Sequence, residues 1–214
     1  MRPAAAADFV PPEAAIRTWV TSSDGIRLNV EVHGPQNART PTVVLIHGWT
    51  CSIPFWAPVI RALRDDLRVV AYDLRGHGGS DVPGAGGYSS DALADDLEAV
   101  LDHVVPPGGR AVLAGHSMGA MTILAAAPRD SVISRVSGAL LASTGSPSLI
   151  AEALTFPFGG DLLAFAAAAQ YWLLTAAAPV GSVTPVSRAA LSYLTLGPGA
   201  PPEVETVNAA IIQA

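Results

Sequence analysis

The sequence predicts an α/β protein built on a mostly parallel sheet, with an antiparallel hairpin at its N-terminal end. Three observations carry this reading. Apolar, β-branched runs alternate along the chain with segments of helical periodicity. One early segment instead alternates strictly between apolar and polar residues. Beyond Thr144 the strand signals stop, and repeated prolines break the sequence into short pieces.

The hairpin comes first. Arg17–Thr21 and Ile26–His33 flank Ser22-Ser23-Asp24-Gly25, and Asp-Gly is a strong turn signal. In the second strand Ile26, Leu28, Val30 and Val32 alternate with Arg27, Asn29, Glu31 and His33, so one face should be buried and the other wet. On this reading His33 ends an edge strand and is exposed, as is His103 at the end of a helix. The next runs are continuous: Thr42–Ile46, Leu67–Ala71, Ala111–Ala114 and Gly138–Ala142. Continuous runs mark strands covered on both faces, as parallel sheets require. Between them Trp56–Arg64, Ser90–Val104 and Ala120–Ala127 read as helices. The organisation expected is a core over residues 1–146 and a helical cap over 147–214.

Gly115-His116-Ser117-Met118-Gly119 is the strongest local feature. The pattern gains force from its context, because a buried-strand run precedes it and a small-residue helix follows. A serine on so tight a strand-to-helix turn stands out over the strand end, and the glycines let neighbouring backbone approach. His47-Gly48-Trp49 follows Val43–Ile46 directly and can present a backbone N–H at another strand end. An oxyanion hole needs two such donors, and the expected pair is the N–H groups of Trp49 and Met118. A third stretch, Asp73-Leu-Arg-Gly-His-Gly-Gly-Ser80, closes the strand before it.

These three landmarks, in this order, resemble the α/β-hydrolase superfamily, and within it the esterase, lipase and cofactor-free haloperoxidase-like members. The resemblance spans about residues 17–146. It implies an α/β-hydrolase sheet, Ser117 as nucleophile, an ester or related acyl substrate, and no cofactor. It also implies that Asp73, Arg75 and His77 brace a loop and take no part in catalysis. Serine at position 117 sets the chain apart from relatives with an aspartate nucleophile.

A serine hydroxyl needs a base, ordinarily a histidine oriented by a carboxylate, and in this fold both follow the serine in the chain. No histidine follows Ser117. The later carboxylates, Asp130, Glu152, Asp161, Glu203 and Glu205, do not follow strand-like runs. The triad acid and histidine are therefore absent from this sequence. The expectation is a C-terminally truncated hydrolase whose last strands lie beyond Ala214. The alternative is a non-catalytic small-molecule-binding protein of the same fold.

Composition narrows the rest. Half the residues are hydrophobic, 14% are charged, and the net charge is -6 with no basic run, which argues against nucleic acid as a partner. Cys51 alone builds no disulfide framework. The histidines lack metal-site spacing. The N-terminus lacks a signal-peptide apolar region, so a cytoplasmic location is expected. Leu162–Val180 is apolar but mostly alanine, and reads as a helix over an apolar pocket ahead of a membrane span. The aromatic residues of the cap segment favour a small apolar acyl or ester-type substrate.

Overall fold

A computed structural model of the chain describes residues 10–37 and 40–144. The cap segment and Leu162–Val180 lie outside the described residues. Among those described, six strands form one sheet in the order β1-β2-β4-β3-β5-β6. The hairpin strands are β1 (Ile16–Thr21) and β2 (Arg27–His33), paired antiparallel. β2 also pairs antiparallel with β4 (Arg68–Tyr72). β3 (Thr42–Ile46) runs parallel to β4 on one side and to β5 (Ala111–His116) on the other, and β6 (Val136–Ala142) runs parallel to β5. The helices are α1 (Ala57–Leu63), α2 (Ser90–Val104), α3 (Met118–Ala126) and the short α4 (Asp130–Ile133). The expected α/β class, the hairpin and the parallel core are all present. None of the described helices is long and apolar enough to cross a membrane.

The two faces of the sheet bury separate cores. One packs Leu28, Val30, Val44, Ile46, Val70 and Leu113 against the apolar stripe of α2 and against Ile123 of α3. The other packs Leu45, Val69, Ala71 and Ala114 under Trp56 and Ile60. α2 forms where its periodicity predicts. Ser89 caps it by accepting the N–H of Ala92, and Leu93, Leu97, Val100, Leu101 and Val104 form one buried stripe.

Two expectations about burial are overturned. His33 is 1% exposed, not an exposed edge residue. The polar face of β2 grades from exposed Arg27 through half-buried Asn29 to buried Glu31 and His33, so only its first part meets water. Arg17 Nε lies 3.1 Å from Glu31 Oε1, and this ion pair makes the burial of Glu31 tolerable. The second correction concerns Gly138–Ala142, read as covered on both faces. β6 pairs only with β5 among the described residues, and Leu140 and Leu141 are 59% and 40% exposed.

One ion pair ties the hairpin to the helical layer. The Arg75 guanidinium is fully buried and grips Asp96 of α2 bidentately, with Nε–Oδ2 at 2.7 Å and Nη2–Oδ1 at 2.6 Å. Its Nη1 also donates to Asp24 in the hairpin turn and to the carbonyl of Gly87. Hydrogen bonding to Asp96 holds the Arg75 pKa above its usual value, against the pull of desolvation. Removing one member of a buried pair leaves the other charge stranded. Arg75→Met should therefore cost about 3–5 kcal/mol in urea unfolding. The double variant Arg75→Met/Asp96→Leu should recover much of that loss.

Candidate active site

The chain runs from β3 out to β4 on one side of the sheet, then crosses back to β5 on the other. The order reverses between β3 and β5, and in open α/β sheets the crevice at the carboxyl ends of such strands is where ligands bind. These strands carry two of the three sequence landmarks, His47–Trp49 after β3 and the Gly115–Gly119 turn at the end of β5. Ile46 and Gly115 are register partners at those ends, so the segments that follow emerge side by side.

Ser117 follows β5 and precedes the first residue of α3. Its backbone sits at φ 51°, ψ -113°, outside the region comfortable for an L-residue. The turn closes by hydrogen bonds. The Ser117 N–H donates to the Ala142 carbonyl of β6, and the N–H groups of Ala120 and Met121 donate back to the Ser117 carbonyl. Glycine is demanded by crowding. A Cβ on Gly119 would collide with the backbone carbonyls of Ile46 and His47, and one on Gly115 would meet the backbone of Gly119 and Ala120. Met118 opens α3, so its N–H has no intrahelical acceptor and the positive end of the helix dipole lies beside the serine. Ser117 and Met118 are each partly exposed.

The loop after β3 is held by His47, which is completely buried. The Leu74 N–H donates to His47 Nε2 at 3.0 Å. That nitrogen must then be the acceptor, so the proton lies on Nδ1 and is donated to the Gly48 carbonyl at 2.7 Å. The Cys51 N–H donates to the same carbonyl. In a trans peptide the carbonyl and the next N–H point in opposite directions. Pinning the Gly48 carbonyl therefore turns the Trp49 N–H the other way. Gly48 also passes close to His116, whose ring nitrogen would lie 2.8 Å from a Cβ at that position. The Trp49 side chain is 42% exposed.

The loop after β4 is a brace. Asp73 Oδ1 accepts the Ile53 N–H, and Oδ2 accepts Asn29 Nδ2 and the Gly79 N–H. Burial pushes its carboxyl up in pKa, against the opposite pull of these donors. The Ser80 hydroxyl donates to the Asp73 carbonyl and accepts the Asn29 N–H. His77 Nδ1 bonds the carbonyl of Arg75, with its ring tilted against that of His47 at 5.4 Å.

None of the described histidines hydrogen-bonds the Ser117 hydroxyl. Burial drives His47 down to about pKa 3, and its proton is already committed to Gly48. His77 is also lowered by burial. His116 stacks on Phe55 at 4.8 Å, and its buried Nδ1 has no partner among the described residues. Asp130, the carboxylate nearest after Ser117 in the chain, opens α4 and so precedes β6, at the far end of that strand. Burial holds the Cys51 thiol up at about 11, so it is protonated and unreactive near neutral pH.

Sequence reasoning missed two features. Thr50 and Ser143 share positive φ with Ser117, at 61° and 51°. These three are the non-glycine residues with positive φ among those described, and each lies just beyond the carboxyl end of a strand: β3, β5 or β6. No composition signal marks Thr50, because threonine is an unfavourable choice for that backbone. The second feature is His116, whose ring lies against the Gly48 loop although its place beside Ser117 in sequence gives no sign of that contact.

The profile of the α/β-hydrolase fold matches residues 41–188, and the chain belongs to this family. It is 38% identical over 102 residues to a bifunctional esterase/perhydrolase of Acinetobacter calcoaceticus, a match covering 47% of this chain and 35% of that one. It is 35% identical over 105 residues to 3-oxoadipate enol-lactonase 1 of Acinetobacter baylyi, covering 49% and 37%. Among solved structures it resembles the esterase RhEst1 of Rhodococcus sp. ECU1013, with 28% identity, a TM-score of 0.67, and coverage of 92% of this chain and 67% of that one. The chain spans about a third of the length of these curated relatives.

The neutral state of His47 gives a pH prediction. Its pKa falls from 6.5 in the unfolded chain to about 3 in the fold, so the unfolded state binds more protons between those values. The stabilisation is complete above pH 6.5 and is lost as pH falls towards 3, a loss of about 3 kcal/mol by pH 4. In urea titrations from pH 7 to pH 4, His47→Asn should lose less stability on acidification than the wild type by about that amount. A second prediction concerns the elbow. Gly119→Ala should destabilise the fold by at least about 2 kcal/mol in urea unfolding, because the new methyl meets backbone that cannot swing aside.

Proposed function

We propose that this chain carries the nucleophile and oxyanion-binding part of a serine hydrolase that acts on an ester or related acyl substrate. Ser117 attacks the carbonyl carbon. The N–H groups of Met118 and Trp49 receive the developing oxyanion. The observation that supports this most is the convergence of strained backbone on one rim of the sheet. Ser117, Thr50 and Ser143 all hold unfavourable φ at strand carboxyl ends. Strain of this kind persists where surrounding structure enforces it, and it clusters at functional sites. The relatives named as esterase and enol-lactonase support an acyl substrate.

Activation of the serine falls to groups other than the described histidines, each of which is committed elsewhere or makes no bond to its hydroxyl. With no base in reach among the described residues, the oxyanion hole and substrate binding give a residual acceleration of about 10³–10⁴-fold over water. The 214-residue chain should therefore show no fast burst with p-nitrophenyl acetate.

Labelling with a fluorophosphonate tests the assignment without needing turnover. The expected adduct lies on Ser117, forms over hours and disappears in Ser117→Ala. A saturable burst in the wild type would refute the missing base. Labelling that persists in Ser117→Ala would refute Ser117 as the nucleophile, and no labelling of the wild type would favour a non-catalytic binding protein.

A further inference from the structure

The chain carries a recess a strand length away from Ser117, on the order of 15 Å. It lies at the amino ends of the parallel strands, where Thr42 opens β3 and Arg68 opens β4. The cleft has a volume of about 310 Å³, with Gln36, Thr40, Arg68, Val104 and Arg110 among its walls. Ligands in open α/β sheets gather at the opposite rim, so this cleft is separate from the candidate active site.

Its charge is unusual for this protein. The chain has a net charge of -6, and most of its described arginines are matched by carboxylates. Arg17, Arg27, Arg64, Arg75, Arg129 and Arg135 each lie within ion-pair reach of an aspartate or glutamate. Arg68 and Arg110 have no carboxylate partner among the described residues, and both line this one cleft. No carboxylate lines it among the described residues.

Arg68 is partly buried, and desolvation lowers its pKa. Its Nη1 donates to the Val104 carbonyl at 2.7 Å and its Nε to Gln36 Oε1 at 3.3 Å, both uncharged acceptors. These bonds fix the guanidinium plane and leave Nη2 without a protein acceptor among the described residues. Arg110 is exposed and has no hydrogen-bond or ion-pair partner among them. A cation withdrawn from water without a counter-charge is costly, and a fixed guanidinium favours planar or tetrahedral oxyanions.

We propose that this cleft binds a small ligand through an oxyanion group, a carboxylate or a phosphate, held between Arg68 and Arg110. The volume admits more than a bare ion, since small-molecule sites begin at about 300 Å³. Thr40 also lines the cleft and carries a hydroxyl donor.

Calorimetric titration of the full 214-residue chain with inorganic phosphate and, separately, with citrate at fixed ionic strength tests this. Saturable one-to-one binding of at least one anion is expected, and the pair separates a phosphate ligand from a carboxylate one. Arg110→Gln should weaken that binding tenfold or more, as expected for loss of a charge-assisted hydrogen bond. It should leave the ligand-free melting temperature unchanged, because Arg110 makes no protein contact of this kind. Arg68→Gln should also weaken binding but lower the melting temperature, since it releases Val104, so Arg110→Gln is the decisive variant. Ser117→Ala should bind as the wild type does. The proposal fails if neither anion saturates below about 10 mM, if Arg110→Gln binds like the wild type, or if Ser117→Ala abolishes binding.

Discussion

A buried, neutral imidazole ties together the strand ends from which the candidate site is built. His47 accepts the Leu74 N–H beyond β4 and donates to the Gly48 carbonyl beyond β3. One ring thus sets the spacing of two loops and the orientation of the Gly48–Trp49 peptide. It can do both only while uncharged, because a protonated ring would present an N–H where Leu74 needs an acceptor. Burial keeps it so. The Asp73 brace, with Ile53, Asn29 and Gly79 as donors, holds the neighbouring loop from the other side.

The second constraint is steric. β3 and β5 run as register partners, and α3 must start at once after β5, so the elbow passes directly over the end of β3. Gly119 makes that passage possible. Ser117 takes the strain that results, and its backbone N–H is consumed in bonding to β6. The serine side chain and the Met118 N–H are then left at the rim. Sheet topology, local crowding and helix polarity all act on the same few atoms. Arg75 acts further away, clamping the hairpin turn and α2 around this frame.

Much of this was legible in the residues. Continuous β-branched runs located the parallel strands, and α2 fell where its periodicity placed it. The elbow was legible because two glycines around a serine, between a strand run and a helix, have a steric meaning. What was not legible depended on neighbours distant in sequence. The alternation of Asn29, Glu31 and His33 signals a wet face, yet Glu31 and His33 are buried and Arg17 pairs with the Glu31 charge, so the end of that face is closed. Gly138–Ala142 reads as a covered strand, yet among the described residues it has a partner on one side alone. The positive φ of Thr50 follows from how the loop after β3 closes on Gly48, which no local pattern encodes.

The central claim is geometric: the Ser117 hydroxyl shares a site with two converging N–H donors. The most direct measurement is a crystal structure of the chain carrying a phosphonate adduct on Ser117. The account predicts the phosphonyl oxygen between the Trp49 and Met118 nitrogens, at about 2.7–3.1 Å from each. An adduct whose oxygen points to solvent, with the Trp49 N–H turned away from it, would contradict the account.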